Sequence, residues 1–292
     1  MAQEDSEEFG IGDIFPEPPR PPSPEPTVEV YYRDPNIHNN RIHDWVSISI
    51  RLVGSHPLWG HHLWNAARSF ATYLDANAST LCAGRTILEL GAGGALPGIA
   101  ATLLGAKKVV LTDYPDHDLL RNIAINVDEN VPPRLRANVD VQGYIWAQLV
   151  ALEDDGVPVS HLSSAPVITT GHIVDASLPR FDLILMSDLI FNHSQHDALL
   201  NTCEQALSFE RSNQDTVLPS TPAVLVFFSH HRPNLAHRDL NFFTKARDRG
   251  WTCEEFFSQN MGAMFPDDPG DLAVRSVVHG WRLYRTPPVH AS

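Results

Sequence analysis

The sequence has few cysteines and no long apolar run. Its three cysteines, Cys82, Cys203 and Cys253, lie far apart and none belongs to a CxxC pair. This pattern disfavours a disulfide framework and a zinc cluster, and it is typical of a reducing compartment. No apolar stretch is long enough to cross a bilayer, and the N-terminus is acidic where a signal or transit peptide would be basic. We therefore expect a cytoplasmic protein that does not bind membranes.

Basic residues are also in the minority. The chain of 292 residues carries 21 Lys and Arg against 35 Asp and Glu, which gives a formal net charge of -14. A surface of this sign repels phosphate backbones, so a nucleic-acid substrate is disfavoured and a basic partner is favoured.

The first 30 residues differ in composition from the rest of the chain. Seven prolines lie between Pro16 and Pro26, and acids outnumber bases. Such a segment cannot offset its ordering entropy by burial, so we expect a disordered tail over residues 1–30. The motif FGIGDIF (9–15) leaves two interpretations open, a loosely attached tail or a lid over an active site. Residues 31–292 are expected to form one domain with a single core.

Strand and helix patterns alternate along this domain. Strands are predicted at 46–54, 86–90, 108–113, 140–146, 181–191, 223–229, 251–257 and 277–285, and helices at 61–76, 98–106, 116–130, 193–207 and 239–250. A polar insertion follows the fourth of these strands and extends to about residue 178. Apolar strands that alternate with helices predict an α/β fold with a parallel sheet covered on both faces. The last two strands predict an antiparallel closing pair.

A glycine-rich turn, GAGG, follows the strand at 86–90. Gly91 and Gly93 allow a tight turn and a close approach of a ligand to the backbone. The turn departs from a dinucleotide-binding fingerprint because Leu96 stands where a third glycine is expected. Glu89 before a short G-x-G resembles motif I of S-adenosylmethionine-dependent enzymes instead.

Candidate ligand contacts follow the next strands, because doubly wound sheets bind ligands beyond the carboxyl ends of their strands. Asp113 ends its strand twenty positions after Gly93, where a carboxylate can accept bonds from ribose hydroxyls. The alternative role, a cap for the next helix, suits Asp116 better. Trp146 could stack on an adenine ring or lie in the core. Asp188 could hold an ammonium group in the cleft or cap a helix.

Several of these motifs together carry a resemblance. In their order and spacing, PLWGHHLWNAA, ELGAGGALPGI, LTDYP, YIW and SDLIF resemble the seven-β-strand family 16 methyltransferases of lysines and N-terminal amines. The likeness is closest to their fungal branch, which acts on translation elongation factor 1-alpha, and it covers nearly the whole chain. It implies a Rossmann-like, seven-stranded class I methyltransferase sheet with helices on both faces, S-adenosyl-L-methionine as cofactor and elongation factor 1-alpha as protein substrate.

The resemblance also implies roles for individual residues. Cofactor contacts are expected at Trp64, Gly91, Ala92, Gly93, Asp113, Trp146 and Ser187. The D-x-x-F/Y stretch of the family falls on Asp188 to Phe191, which we take as catalytic. We expect Tyr114, His230 and His231 to contact the substrate. Three histidine pairs could suggest a metal: His61 with His62, His193 with His196, and His230 with His231. Because neither Glu nor Cys completes a ligand set around these pairs, we predict no metal site.

Two other functions stay open at this point. One is a small-molecule N-methyltransferase, with nicotinamide or a related amine as acceptor. The other is a non-catalytic binding module that has kept the fold, although the intact Gly91, Gly93 and Asp113 argue against it. We expect a monomer by default.

Overall fold

A mixed sheet of seven strands forms the centre of the protein. The computed structural model describes residues 24–37, 44–57, 59–146, 180–208 and 222–285. The strand order in the sheet is β5-β4-β3-β6-β7-β9-β8, and a separate two-stranded sheet pairs β1 with β2. The strands are β1 Thr27–Tyr32, β2 Ser47–Leu52, β3 Thr86–Leu90, β4 Lys108–Asp113, β5 Val139–Gly143, β6 Leu183–Ser187, β7 Ala223–Ser229, β8 Thr252–Asn260 and β9 Val277–Tyr284.

Strand directions confirm the predicted α/β arrangement. Strands β5, β4, β3, β6 and β7 run parallel, and β9 is antiparallel to both β7 and β8. The closing pair is therefore antiparallel, as predicted, and β9 lies between β7 and β8. This seven-stranded order, with one reversed strand next to the end, is the class I methyltransferase sheet that the resemblance implied.

The helices connect these strands and cover the sheet. In the described residues they are α1 Asn65–Ala76, α2 Ala78–Leu81, α3 Leu96–Leu103, α4 His117–Asn130, α5 Pro133–Arg136, α6 His196–Ala206, α7 Ala236–Asp248 and α8 Leu272–Arg275. None of the helices in the described ranges combines the length and the apolar character that a membrane crossing requires.

Alternate residues of each central strand enter two different cores. Along β7, Leu225 and Phe227 face one cluster, which includes side chains of α1, α3 and α4. Val226 and Phe228 face the other cluster, which includes side chains of α6 and α7. Phe227 stacks on Phe70 of α1 with ring centroids 4.2 Å apart. Both faces of the sheet are therefore covered, and the parallel strands expose their carboxyl ends at one edge.

The N-terminal hairpin differs from the sequence prediction. Strand β1 begins at Thr27, inside the segment predicted as a disordered tail, and pairs antiparallel with β2. Strand β2 was predicted as a strand near the edge of the domain, and it pairs with β1 in this separate hairpin. Its alternate residues Ile48, Ile50 and Leu52 are buried, which orders the hairpin against the core. The remaining tail, residues 1–23, lies outside the described residues, as does the predicted polar insertion from residue 147 to 178.

Asparagines of α4 hold the hairpin in place. Asn122, Asn126 and Asn130 lie four residues apart on one face of the helix. Asn130 both donates to and accepts from the backbone of Ser49, at 2.7 and 2.9 Å. Asn126 makes the same pair of bonds with Arg51, both at 2.8 Å, and Asn122 donates to the Arg51 carbonyl at 2.8 Å. The amides thus replace the missing neighbour of an edge strand.

Two predicted boundaries are wrong in ways that matter for the site. The helix predicted from residue 61 begins at Asn65, because Trp64 adopts an extended conformation at its N-cap. The strand predicted to reach Trp146 ends at Gly143. Trp64 and Trp146 therefore lie in loops at the edge of the sheet, where side chains can line a cleft.

Candidate active site

A cleft of about 830 Å³ opens at the carboxyl ends of the parallel strands. Segments that follow β3, β4, β5, β6 and β7 line it. Residues before α1, among them Trp59, His62 and Trp64, and the loop after β8 complete its wall. Its position agrees with the general rule for ligand sites in doubly wound sheets, and its size is typical of ligand pockets.

The glycine turn forms the floor of this cleft. Gly91 and Gly93 have φ angles of +59° and +55°, a region that favours glycine. A Cβ on Gly91 would come within 2.5 Å of Leu189 Cδ2, so a side chain cannot be accommodated there without movement. A Cβ on Gly93 would meet no atom within 4 Å, so Gly93 leaves space over the turn. The turn therefore presents bare backbone to a ligand.

Asp113 is bound to the glycine turn. Its Oδ2 accepts a hydrogen bond from the Gly93 N–H at 2.7 Å, and its Oδ1 accepts one from the Tyr114 N–H at 2.7 Å. Burial raises the pKa of Asp113, although these two bonds lower it. Asp116 caps α4 by accepting bonds from Asp118 and Leu119 N–H groups, so the capping role that competed for Asp113 belongs to Asp116. Asp113 keeps lone pairs for further donors.

Glu89 lies beneath the turn, and sequence reasoning gave it no separate role in the site. Its side chain is buried, and its Oε2 accepts a hydrogen bond from the Gly98 N–H at 2.9 Å. Its Oε1 is buried without a partner. Burial raises the pKa of Glu89 to about 8. A cationic ligand in the cleft would favour the ionised form of this carboxyl group.

Asp188 also lines the cleft and follows β6 directly. Its φ of +51° is unusual for a residue other than glycine. Its Oδ1 accepts hydrogen bonds from the Ser229 N–H at 3.1 Å and from His231 Nε2 at 3.0 Å. Its Oδ2 is buried and has no partner. Helix α6 begins at His196 and takes no cap from Asp188, so the capping alternative does not apply.

The two histidines predicted to contact substrate lie in different surroundings. His231 lines the cleft, whereas His230 is buried and is not among the lining residues. His230 Nδ1 is bonded to Asp239 Oδ2 at 2.7 Å, and His193 Nε2 is bonded to the other oxygen of Asp239 at 2.7 Å. His230 thus supports the wall of the cleft through Asp239, and the structure does not bring it to the position we expected.

Aromatic side chains surround the mouth of the cleft. Of the predicted residues, Tyr114 and Phe191 are 50% and 43% exposed, and Trp59, which the sequence reasoning did not single out, is 46% exposed. Deeper in, the Trp64 ring packs edge-on against His231 at 4.8 Å and against Phe265 at 5.9 Å. Phe265 and Asp268 come from the loop after β8, which no motif marks. Only the fold brings them to the site.

All the predicted cofactor residues line one continuous cleft. They are Trp64, Gly91, Ala92, Gly93, Asp113, Trp146 and Ser187. The open space at Gly93, the carboxylate of Asp113 and the unpartnered Oε1 of Glu89 fit a ligand with ribose hydroxyls and positive charge. The site therefore suits S-adenosyl-L-methionine, whose adenosine and methionine portions carry these groups.

The histidine pairs do not form a metal centre in the described part of the chain. There, no group of three or more His, Cys, Asp or Glu side chains is arranged to hold a metal ion. His196, three residues after His193, is buried and its Nε2 lies 2.6 Å from the Ile190 carbonyl oxygen. The absence of a metal remains a prediction for the chain as a whole.

Comparisons with known proteins bear on the family of the chain. A model of the family described as "Lysine methyltransferase" matches residues 48–162. "Protein N-terminal and lysine N-methyltransferase EFM7" of Cryptococcus neoformans is 42% identical over 97% of this chain and 91% of the relative. The protein of that name in Schizosaccharomyces pombe is 36% identical over 99% and 100% of the two chains. A solved structure, P. horikoshii TYW2 in complex with MeSAdo, superposes with a TM-score of 0.44 at 12% identity, covering 82% of this chain and 69% of that chain.

The sheet order and the cleft define an S-adenosyl-L-methionine-dependent methyltransferase of class I. The relatives identify its family more closely, because the identity extends over nearly the full length of both chains. The chain belongs to the EFM7 family of protein N-terminal and lysine N-methyltransferases.

Proposed function

We propose that this enzyme methylates the N-terminal amine and the adjacent lysine of translation elongation factor 1-alpha. The names of its relatives support a protein amine as acceptor, and the sequence resemblance supports elongation factor 1-alpha as the protein. A small-molecule acceptor such as nicotinamide is the alternative. We further propose that the enzyme acts as a monomer in the cytoplasm, where its three unpaired cysteines would stay reduced.

The observation that carries the proposal is the free oxygen of Asp188. Oδ2 is buried, has no partner and belongs to a residue that lines the cleft. A buried acceptor oxygen of this kind is costly unless a donor reaches it. An amine supplies that donor, because it can give an N–H to Oδ2 while its lone pair points elsewhere.

Different residues of the cleft would bind the cofactor and the acceptor. Gly93 and Asp113 would hold the adenosine side of S-adenosyl-L-methionine, and Glu89 would face its positive charge. When bound, the cofactor supplies an electrophilic methyl group. Asp188 and Phe191 would position the acceptor, which must present an unprotonated nitrogen. An α-amino group with a pKa of about 7.7–8.0 meets this need more easily than a lysine at about 10.4.

The mouth of the cleft suits a peptide. Five carboxyl groups, Glu89, Asp113, Asp188, Asp239 and Asp268, line the cleft together with two arginines, Arg232 and Arg238. Glu89, Asp188 and Asp239 are buried, whereas Asp268 is exposed, so Asp268 is the carboxylate best placed to meet a basic residue of a peptide. The exposed rings of Trp59, Tyr114 and Phe191 offer apolar surface for the residues that follow a chain terminus.

The proposal is tested with tritiated S-adenosyl-L-methionine and two acceptors, purified elongation factor 1-alpha and nicotinamide. Mass spectrometry of the intact N-terminal peptide then locates the label, and N-terminally acetylated elongation factor serves as the blocked control. We expect label at the α-amine and the adjacent lysine, and none at the α-position of the blocked protein. Label on nicotinamide alone would replace the protein substrate by a small molecule. Label on neither acceptor would refute elongation factor 1-alpha.

A further inference from the structure

His231 and Asp188 form an acid–histidine pair in the part of the cleft where Asp188 and Phe191 would position the acceptor. The side chains of His231 and Asp188 are 23% and 4% exposed, and His231 Nε2 lies 3.0 Å from Asp188 Oδ1. Because the Ser229 N–H also donates to Oδ1, that oxygen is fully engaged. The two bonds fix the carboxylate so that only Oδ2 is available to a ligand.

The charges around His231 are mostly negative. Asp188 after β6, Asp239 on α7 and Asp268 in the loop after β8 all favour its protonated form. Basic groups line the same cleft, namely His62, His193, Arg232 and Arg238, and His230 precedes His231 in the chain. Burial lowers the pKa of His231, but Asp188 and the other carboxylates outweigh burial, and the net shift is upward.

An unpaired carboxylate would work against methylation of an amine. A negative charge within about 4–6 Å of an ammonium group favours the charged form and raises its pKa, typically by about 1–3 units. The ammonium form has no lone pair and cannot attack a methyl group. A carboxylate that is needed to orient the amine must therefore be electrically compensated.

We propose that His231 is a positioning residue that neutralises Asp188, so that Oδ2 orients the acceptor amine without trapping it as an ammonium ion. The inference rests on the proposed methylation of an amine. The acceptor ammonium first loses a proton to water. Its nitrogen would then form the N–C bond as the S–C bond to the methyl group breaks, with S-adenosylhomocysteine as the leaving thioether, and the methylated amine can lose its remaining extra proton to water. His231 keeps its proton on Nε2 and donates it in a hydrogen bond to Asp188 Oδ1. His231 is therefore a source of positive charge and not the base that deprotonates the acceptor.

The first test is the pH profile of kcat with elongation factor 1-alpha as acceptor. The substitution His231→Gln keeps a hydrogen-bond donor for Asp188 and removes the positive charge. We expect the rising limb of the profile to move to higher pH by about one unit, so that kcat falls about tenfold at pH 7 and approaches the wild-type value near pH 9.5. His117→Gln, an exposed substitution at the start of α4, should give the wild-type profile.

Two further variants separate charge from structure. His231→Asn should shift the profile in the same direction, and both His231 variants should bind S-adenosylhomocysteine with unchanged affinity. In an Asp188→Asn background, His231→Gln should no longer move the rising limb, because the carboxylate it compensates is absent. A profile that is lower at every pH but keeps its midpoint would assign His231 a structural role only and would overturn the proposal.

The second test does not depend on the substrate. Imidazole NMR of the cofactor-free protein, with the His231 signal assigned by its loss in His231→Gln, should show His231 titrating above the ordinary value of about 6.5. The pKa of His231 should be lower in the Asp188→Asn variant than in the wild type. A His231 pKa at or below 6.5, or one that is unchanged in Asp188→Asn, would contradict the proposal. If the wild-type protein leaves elongation factor 1-alpha unmethylated, the proposed substrate is wrong, and this titration still decides whether His231 neutralises Asp188.

Discussion

Asp113 and Gly93 are joined by a hydrogen bond of 2.7 Å between the carboxylate Oδ2 and the backbone N–H. The bond connects the end of β4 to the turn after β3, the two segments that form the adenosine side of the cleft. One carboxylate thus fixes the shape of the turn and keeps lone pairs for a ligand hydroxyl.

The substitution Asp113→Asn tests this double role. An amide cannot accept bonds at both positions, and it removes a charge-assisted contact worth about 1.5–3 kcal/mol. We expect the affinity for S-adenosylhomocysteine, measured by isothermal titration calorimetry, to fall about 10–100-fold.

Asp116→Ala is the matched control. It removes the N-cap of α4, so it should lower the free energy of unfolding by about 1 kcal/mol and leave cofactor affinity unchanged. Equal affinities for the Asp113 variant and the wild type would remove Asp113 from the cofactor site.

Gly93 and Gly84 allow backbone strain to be separated from ligand contact. Both have positive φ, +55° and +71°, and a Cβ on either would meet no atom within 4 Å. Gly93 lines the cleft, whereas Gly84 is exposed in the turn before β3. Each Gly→Ala substitution should therefore destabilise the fold by about 1 kcal/mol.

Only Gly93→Ala should also weaken binding of S-adenosylhomocysteine, by tenfold or more, because its methyl group would occupy the space over the turn. The thermal unfolding midpoint and the dissociation constant for S-adenosylhomocysteine, measured for both variants, separate the loss of stability from the loss of ligand contact. A loss of affinity in Gly84→Ala equal to that in Gly93→Ala would show that general destabilisation is the cause.

The buried strands and the glycine turn were predictable because their signals are local. Strands β3 and β4 have the predicted bounds, since each is a short apolar run between helical patterns. Gly91, Gly93 and Asp113 follow those strands directly, so the parallel sheet places them at one edge. Local sequence therefore predicted that the glycine turn and Asp113 lie together at the edge of the sheet.

The part of the cleft around Asp188, His231 and Phe265 depends on contacts that sequence cannot reveal. His230 and His231 are adjacent, yet one bonds to Asp239 and the other to Asp188, because successive residues after a strand point in different directions. Phe265 comes from a loop without a motif. The N-terminal hairpin was missed for a similar reason, since its edge is completed by side-chain amides of a distant helix.

Those amides lead to a prediction about stability. Asn126 is fully buried and bonds to the Arg51 N–H, the Arg51 carbonyl and the Gly94 carbonyl at 2.8, 2.8 and 3.1 Å. Asn126→Ala removes the partners of the Arg51 N–H and the Gly94 carbonyl, while the Arg51 carbonyl keeps its bond from Asn122. We therefore expect a loss of about 2–4 kcal/mol in the free energy of unfolding by urea. Because Gly94 belongs to the turn, cofactor affinity should fall as well.

Asn130→Ala provides the comparison within the same helix face. Asn130 bonds to the Ser49 backbone but to no residue of the turn. The Asn130→Ala substitution should lower the free energy of unfolding. The folded variant should bind S-adenosylhomocysteine with the wild-type affinity. If both variants lost affinity equally, the bond from Asn126 to Gly94 would not explain the loss of cofactor affinity.

We expect Glu89 to make both stability and cofactor binding depend on pH. Its pKa is raised by burial from an ordinary 4.5 to about 8, so the folded protein holds this proton more tightly than the unfolded chain does. The stabilisation is fully present below pH 4.5 and is lost as pH rises through about 8. Across that window this group lowers the free energy of unfolding by up to about 1.4 kcal/mol per pH unit. In Glu89→Gln, the free energy of unfolding measured against pH should lose this contribution to its slope. In Glu129→Gln, an exposed change on α4, the slope should stay as in the wild type.

Cofactor binding should couple to the same proton. S-adenosyl-L-methionine carries a sulfonium and an ammonium group, and positive charge near the unpartnered Oε1 favours the ionised carboxylate. Binding at pH 7 should therefore release a proton, and affinity should increase between pH 6 and pH 9. Calorimetry in two buffers of different ionisation enthalpy measures the release directly. Because Gln cannot ionise, Glu89→Gln should release no proton from this site, and a release equal to that of the wild type would assign the proton to another group.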